Sequence, residues 1–440
     1  MESLAETASD STQIAADSTQ AAADSSKEFV DYKSIALLSA CHMADDLGQG
    51  VVPAMLPFFI AAYHLTYAAA AGLVLAQTLF ASVVQPLFGF LADRRPSPWF
   101  IPFGLTFAGL GVALAGWAPT YPLILACIAL SGIGVSAFHP EAARRVRYLS
   151  GSRQATNMSL FTVGGMVGFA FGPLIITPTL IHFGTRGSII VALPVIVMSL
   201  AIIYNLPRLA AANARASVGH AARAHTEGVE RWGDFARLTA VVIVRSLTFF
   251  GLNTFLPLYW TNVLHGSKSG GGYALSGLAA CVAVGTLLGG RLADRFGRKT
   301  VIAVSMGALA PLLFAFVNAG SLMSASMLLL PLGLAVSASN SVVVVMGQEY
   351  LPNRVGLAAG VTLGLSMTIG GLLMPPLGWV ADHYGLSAAM FLLCIAPLFA
   401  FALSLTLRET AVLLHPVPQR EASQPSAVAS QRSGKSRLVR

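Results

Sequence analysis

Gly89-Phe90-Leu91-Ala92-Asp93-Arg94 returns as Gly290-Arg291-Leu292-Ala293-Asp294-Arg295, 201 residues further along the chain. Two more pairs keep that offset. Arg153 and Arg354 each open an apolar segment, and His182-Phe183-Gly184 and His383-Tyr384-Gly385 each close the segment so opened. One such coincidence is weak. Three at one spacing, at equivalent points of two halves, mark an internal duplication. The sequence between the repeats is strongly apolar. Of 440 residues, 55% are hydrophobic and 10% charged, whereas a soluble domain carries about a quarter charged residues. The apolar runs are continuous rather than alternating, so the backbone satisfies itself in lipid as helix and not as a β-barrel.

Twelve segments approach or exceed the ~20 residues a spanning helix needs. They are 34–62, 68–92, 99–118, 121–143, 155–182 and 187–206, then 237–264, 271–293, 300–318, 322–346, 355–381 and 385–407. The expected architecture is an all-α membrane protein with twelve transmembrane helices in two pseudo-symmetric six-helix bundles, 34–206 and 237–407. In duplicated transporters of this kind the substrate lies between the halves at mid-depth. Residues 1–33 read as a disordered, acidic N-tail without the basic start of a secretory signal. A polar, Arg- and Ala-rich central loop (207–236) and a basic C-tail (408–440) complete the chain. Threading twelve spans puts 24 of the 27 Lys and Arg residues on one side, with Arg186 and Lys268 on the other and Arg245 inside a span. Positive residues stay inside, so both termini are expected in the cytoplasm. The net charge of +8 then reflects topology and not nucleic-acid binding.

Cys41, Cys127, Cys281 and Cys394 are scattered through apolar stretches and read as packing thiols. Neither a disulfide framework nor a metal site is expected from their spacing. The chain has no phosphate-binding G-x-x-x-x-G-K-[ST] loop. With neither a nucleotide loop nor a clustered nucleophile in the sequence, neither an enzyme nor a bound cofactor is expected.

The run Gly290-Arg-Leu-Ala-Asp294-Arg295-Phe-Gly297-Arg298-Lys299 resembles the G-x-x-x-D-R-x-G-R-K signature of the major facilitator superfamily. The first-half copy keeps Gly89, Asp93 and Arg94, then departs to Arg95-Pro96-Ser97-Pro98. In the fifth span, Gly164-Gly165-Met-Val-Gly168-Phe-Ala-Phe-Gly172-Pro173 is similar to the glycine-rich antiporter motif of that superfamily. A narrower likeness, to the fosmidomycin-resistance family, rests on His42-Met-Ala-Asp45-Asp46, Pro53-Ala-Met-Leu-Pro57, Phe138-His139-Pro140-Glu141-Ala-Ala-Arg144, Phe161-Thr-Val-Gly164-Gly165 and Gln348-Glu349-Tyr-Leu-Pro352. The resemblance implies a bacterial inner-membrane monomer that exports fosmidomycin, an anionic phosphonate, or similar small drugs in exchange for protons. It also implies that the signature loops, with Gly172 and Pro173, act in gating. The second reading is a symporter of the same fold, importing an organic or phosphorylated solute.

Ionisable groups inside a membrane are costly and therefore functional candidates. Asp45 and Asp46 point roughly 100° apart on a helix, so one is expected to face a cavity and the other a neighbouring helix. His42 lies four residues before Asp46, on its face. Proton carriage and a structural hydrogen bond are both open for this trio, and the family motif makes Asp46 the first candidate. His139 and Glu141 are expected at the cytoplasmic end of the fourth span, with Arg144 pairing Glu141. They form either a proton or substrate site or a charge network locking one conformation. Arg245, in the seventh span, is 200 residues past Asp45, and pseudo-symmetry sets it across the cavity from the acids. Its planar fork suits a phosphonate, while snorkelling is the alternative. Gln77 and Asn253 are further lining candidates. Asp294 is expected to accept hydrogen bonds from a helix N-terminus.

Overall fold

A computed structural model describes residues 30–94, 97–150, 154–216, 229–354, 357–358 and 360–409. The N-tail before Val30, the C-tail from 410, residues 217–228 of the central loop, Arg95, Pro96 and Arg153 lie outside the described residues. Among those described, helix covers each expected apolar segment. The first half contains α1 (Tyr32–Tyr63), α2 (Tyr67–Val83), α3 (Gln85–Arg94), α4 (Phe100–Ala115), α5 (Tyr121–Leu149), α6 (Gln154–Phe183) and α7 (Ala192–Ala216). The second contains α8 (Trp232–Asn262), α9 (Lys268–Phe296), α10 (Arg298–Val317), α11 (Leu322–Ala338), α12 (Asn340–Tyr350), α13 (Ser366–Leu372), α14 (Met374–Tyr384) and α15 (Leu386–Ser404). Nine helical stretches among the described residues are long and apolar enough to cross a membrane. One of these, Thr156–Leu209, takes in most of both α6 and α7.

Local chemistry sets the helix boundaries. Asp31, Thr66 and Ser267 cap α1, α2 and α9 by accepting from the backbone N–H three residues on, at 3.1, 3.1 and 2.9 Å. At the other ends, Gly184 and Gly385 of the repeated His-aromatic-Gly motif take φ of 60° and 86°, and Gly297 takes 89°. L side chains rarely adopt that region, which explains a glycine at each stop. Several helices outrun the expected spans. α5 continues to Leu149, α7 to Ala216, and α8 begins at Trp232. The expected 207–236 loop is therefore helical at both margins. Hydropathy reports lipid thickness, whereas Ala and Arg extend a helix without lipid.

The packing repeats with the sequence. α1 packs on α6 as α8 packs on α13, and α4 on α7 as α10 on α15. Across the halves, α2 meets α13 and α14, and α9 meets α6. These are equivalent pairs under the 201-residue offset. Among the described residues, hydrogen bonds join the halves at both ends of α2. At its start, Asp382 of α14 accepts from Tyr67 N at 2.7 Å and Ala68 N at 3.0 Å, capping the helix, and Asn262 reaches the Tyr67 hydroxyl at 3.4 Å. Near its other end, the Ser82 and Thr368 hydroxyls lie 2.7 Å apart. No ion pair joins the halves among the described residues.

Candidate functional site

Close contact between α1 and α6 builds the site. A Cβ at Gly164 would sit 3.1 Å from the Ser39 carbonyl carbon, and one at Gly168 would sit 2.7 Å from that of Met43. Gly172 meets Leu47 O at 2.6 Å in the same way. Small residues thus let the two backbones touch, and α6 runs on through Pro173 and Pro178. Gly165 differs from its neighbours. A Cβ there would strike the Asp46 carboxylate and lie 2.6 Å from the His42 ring. Its bare backbone leaves the space those side chains fill.

His42 and Asp46 on α1 meet His139 from α5. His42 Nε2 is 3.2 Å from Asp46 Oδ2, His139 Nε2 is 3.5 Å from Asp46 Oδ1, and the two Nε2 atoms are 3.1 Å apart. Gln49 also donates to Asp46. Asp45 Oδ2 is 3.6 Å from His139 Nδ1, beyond hydrogen-bond length. Asp45 is 1% exposed, and neither of its oxygens has a hydrogen-bond partner. The His42 ring stacks on Phe161 at 4.1 Å between centroids.

The outer nitrogens fix the tautomers. His42 Nδ1 is 2.8 Å from Phe161 O, and His139 Nδ1 is 3.0 Å from Val135 O. A carbonyl only accepts, so both Nδ1 atoms carry hydrogen. In neutral rings both Nε2 atoms then present lone pairs, facing each other and the Asp46 carboxylate. Three acceptors converge, and the side-chain donor reaching them among the described residues, Gln49, serves Asp46 alone. A cation shared among them resolves the conflict.

The adjacent acids diverge: the Asp46 side chain is 16% exposed at the cluster, whereas Asp45 is buried against α5 beside His139. The expected position of His139 and Glu141 at a helix end is corrected. α5 carries Pro140 internally and continues nine residues beyond His139–Pro140 to Leu149. Glu141 is fully buried and receives Arg144 at 2.7–2.9 Å and Arg145 Nε at 2.7 Å. Arg145, which the sequence reading did not single out, is 1% exposed and also donates to Leu209 O at 2.9 Å. Arg144 is therefore spent on Glu141, as a network member.

Arg245 is 8% exposed, its Nε lacks a hydrogen-bond partner, and no ion pair engages it among the described residues. It does not pair with Asp45 or Asp46. Gln77 donates to Ser131 Oγ at 3.3 Å, an interhelical bond. Asn253 donates to Phe249 O at 2.9 Å and leaves its buried Oδ1 unpartnered. Arg245 and Asn253 share α8, whereas Gln77 and Arg144 lie on α2 and α5.

The signature loop is organised differently from expectation. Glu409, not Asp294, accepts from the start of α10, taking Arg298 N and Lys299 N at 3.0 Å each. Arg298 pairs with Glu349. Asp294 and Arg295 are exposed, and Arg295 lies over Phe296 at 5.2 Å. Gly89 and Gly290 sit within α3 and α9, while the Asp93 and Arg94 side chains lie outside the described residues. Near the start of α1, outside the spans, burial works to raise the Asp31 carboxyl. Hydrogen bonds from Arg208 (2.6 and 2.8 Å) and Ser34 outweigh it and hold the group below its ordinary value.

Comparison with known proteins agrees with this architecture. The chain is 30% identical over 375 residues to an uncharacterized MFS-type transporter of Bacillus subtilis strain 168, YfnC, covering 83% of this chain and 90% of that one. It is 27% identical over 367 residues to the fosmidomycin resistance protein of Escherichia coli K12, again covering 83% and 90%. Among solved structures, a bacterial homolog of the human lysosomal transporter Spinster, inward-facing and occupied, superimposes with a TM-score of 0.70 at 16% identity, covering 84% of this chain and 95% of that one. The profile of the Major Facilitator Superfamily matches residues 38–365 and 238–438. Fold, duplication and sequence agree, and the chain belongs to the Major Facilitator Superfamily of multi-pass membrane transporters.

Proposed function

We propose that this transporter exports fosmidomycin or a similar small anionic drug in exchange for protons, by alternating access across a bacterial inner membrane with both termini cytoplasmic. The observation that carries the reading is the convergence of His42 Nε2, His139 Nε2 and the Asp46 carboxylate. A proton is the smallest cation that relieves three facing acceptors. Bound, it bridges α1 and α5. Released, it leaves lone pairs and a carboxylate in mutual repulsion, a local change large enough to bias a two-state packing. Asp46 and His139 side chains are 16% and 24% exposed, which gives the proton a path in and out.

Arg245 supplies the opposite charge. A buried guanidinium without a carboxylate is expensive, and an anionic phosphonate satisfies its fork bidentately. The name of the Escherichia coli relative supports that substrate class. The hydrogen bonds between Asp382 and α2, with no ion pair between the halves among the described residues, support an inward-facing state. In that reading the Tyr67–Asp382 end is the outer, closed one. The signature loops and the Gly172–Pro173 region serve the closing of the inner end.

A resistance assay tests the reading. A drug-sensitive bacterium expressing the chain is expected to survive fosmidomycin, and Asp46→Asn and Arg245→Ala are expected to abolish that survival at matched membrane expression. Equal resistance in all three strains removes the site assignment. Greater sensitivity on expression of the wild type favours an importer of the same fold.

A further inference from the structure

The geometry points to a second cation for the same three side chains: His42, His139 and Asp46 form a binding site for a late first-row divalent metal ion, for which Zn²⁺ is the fitting probe. His42, Asp46 and His139 each bring a ligand atom, and these atoms lie within 4.8 Å of one another. The finer distances are more telling. Ligands held ~2.0–2.1 Å from a tetrahedral Zn²⁺ stand about 3.3 Å apart. The two Nε2 atoms are 3.1 Å apart, and each has a carboxylate oxygen of Asp46 at similar spacing: Oδ2 at 3.2 Å from His42 and Oδ1 at 3.5 Å from His139.

The surroundings of the ligands also fit. A metal-binding imidazole directs its other N–H to a backbone carbonyl or carboxylate, which fixes the tautomer and aims the free lone pair. Both rings do this here, through Phe161 O and Val135 O. His42 is further immobilised by stacking on Phe161. Asp45 stands behind His139 at 3.6 Å, buried, with both oxygens unpartnered. With two neutral imidazoles, the Asp46 carboxylate brings the negative charge of the ligand set, and a divalent ion accepts all three. Imidazole nitrogens favour zinc-like ions over magnesium or calcium. Three protein ligands leave a fourth position for water, on the partly exposed side of the cluster.

The residues come from different helices, 97 positions apart in the case of the two histidines, so no local spacing announces the site. The ligation stands independently of the export reading. Only its consequence rests on that reading: Zn²⁺ and the exchanged proton compete for the same acceptors, so bound metal arrests transport.

Equilibrium dialysis of the tag-free full chain in nanodiscs against Zn²⁺ tests the inference. One ion per chain is expected, with at least a 10-fold weaker dissociation constant in His42→Gln and in His139→Gln. His182→Gln, an exposed histidine outside the cluster, is expected to bind as the wild type does. No stoichiometric binding by the wild type, or equal binding in both cluster variants, overturns the site. Should the variants not fold, Co²⁺ added to the wild type gives a direct readout. Intense visible bands of tetrahedral ligation support the site, and the faint spectrum of hydrated Co²⁺ overturns it. Metal binding without any drug movement would leave this inference standing and remove the export reading.

Discussion

Exchanging Gly168 for alanine, and separately Gly165, should divide the fold from the function on a single helix face. At Gly168 the added methyl lies 2.7 Å from the Met43 carbonyl carbon and 2.9 Å from its Cα. These are backbone atoms of α1, so relief requires the two helices to part. Overpacking of this sort costs about 1–3 kcal/mol, and the contacts on either side weaken with it. At Gly165 the methyl meets the ends of side chains, the Asp46 carboxylate and the His42 ring at 2.6 Å. The nearest of these, the partly exposed Asp46 carboxylate, can turn away from the stacked His42 ring, so the fold loses about 1 kcal/mol, while the three-acceptor geometry is broken. Buried Cys41 and Cys394 make unfolding readable with a thiol-reactive dye, and fosmidomycin flux in proteoliposomes reads function. Gly168→Ala is expected to melt at lower temperature. Gly165→Ala is expected to melt near the wild type but to transport at least 10-fold more slowly. Wild-type flux in Gly165→Ala, or wild-type melting in Gly168→Ala, would refute the reasoning.

Glu141→Gln leaves Arg145, 1% exposed, without its carboxylate. The expected cost is about 3–5 kcal/mol, seen as a large drop in thermal midpoint, and an unchanged midpoint would show that the network is dispensable. Asp31 has a folded value held below its ordinary one, so its contribution is present above the ordinary carboxylate range and is lost as pH falls through the folded value. Asp31→Asn, which keeps an N-cap side chain, should be less stable at neutral pH and show a shallower loss on acidification; parallel acid curves would contradict this. Asp382→Ala removes two hydrogen bonds to the start of α2, worth about 1.5–3 kcal/mol each for a charged acceptor. Spin labels at His64 and the exposed Tyr384 should report longer distances in that variant, and an unaltered distribution would deny Asp382 its latching role.

The duplicated Gly-x-x-x-Asp-Arg and His-aromatic-Gly motifs made the pseudo-symmetry legible before any coordinates, because a six-helix unit repeats its stops as well as its spans. The glycines in those stops proved to be the positive-φ residues Gly184, Gly297 and Gly385. The site was legible in parts. His42 and Asp46 share a face by helical period alone, and the fosmidomycin-resistance likeness pointed to His139. That the two histidines touch follows from the α1–α6 glycine face and the position of α5, and sequence spacing carries no trace of it. Glu141 had basic residues at both i+3 and i+4. Spacing alone allowed either pairing, and the structure uses both. Asp294 drew attention through its motif, yet Glu409 caps α10 and Asp382 caps α2. Each lies more than a hundred residues from the amides it binds, and long-range caps leave no local signal.

The central claim is exchange of a proton for a drug at the cluster of His42, Asp46 and His139. Its most direct test is labelled fosmidomycin uptake into proteoliposomes holding the purified chain, with an acidic interior and a neutral exterior. The account predicts accumulation above equilibrium, collapse of that accumulation when a protonophore dissipates the gradient, and none in Asp46→Asn. Accumulation that ignores the protonophore, or that persists in Asp46→Asn, would contradict it.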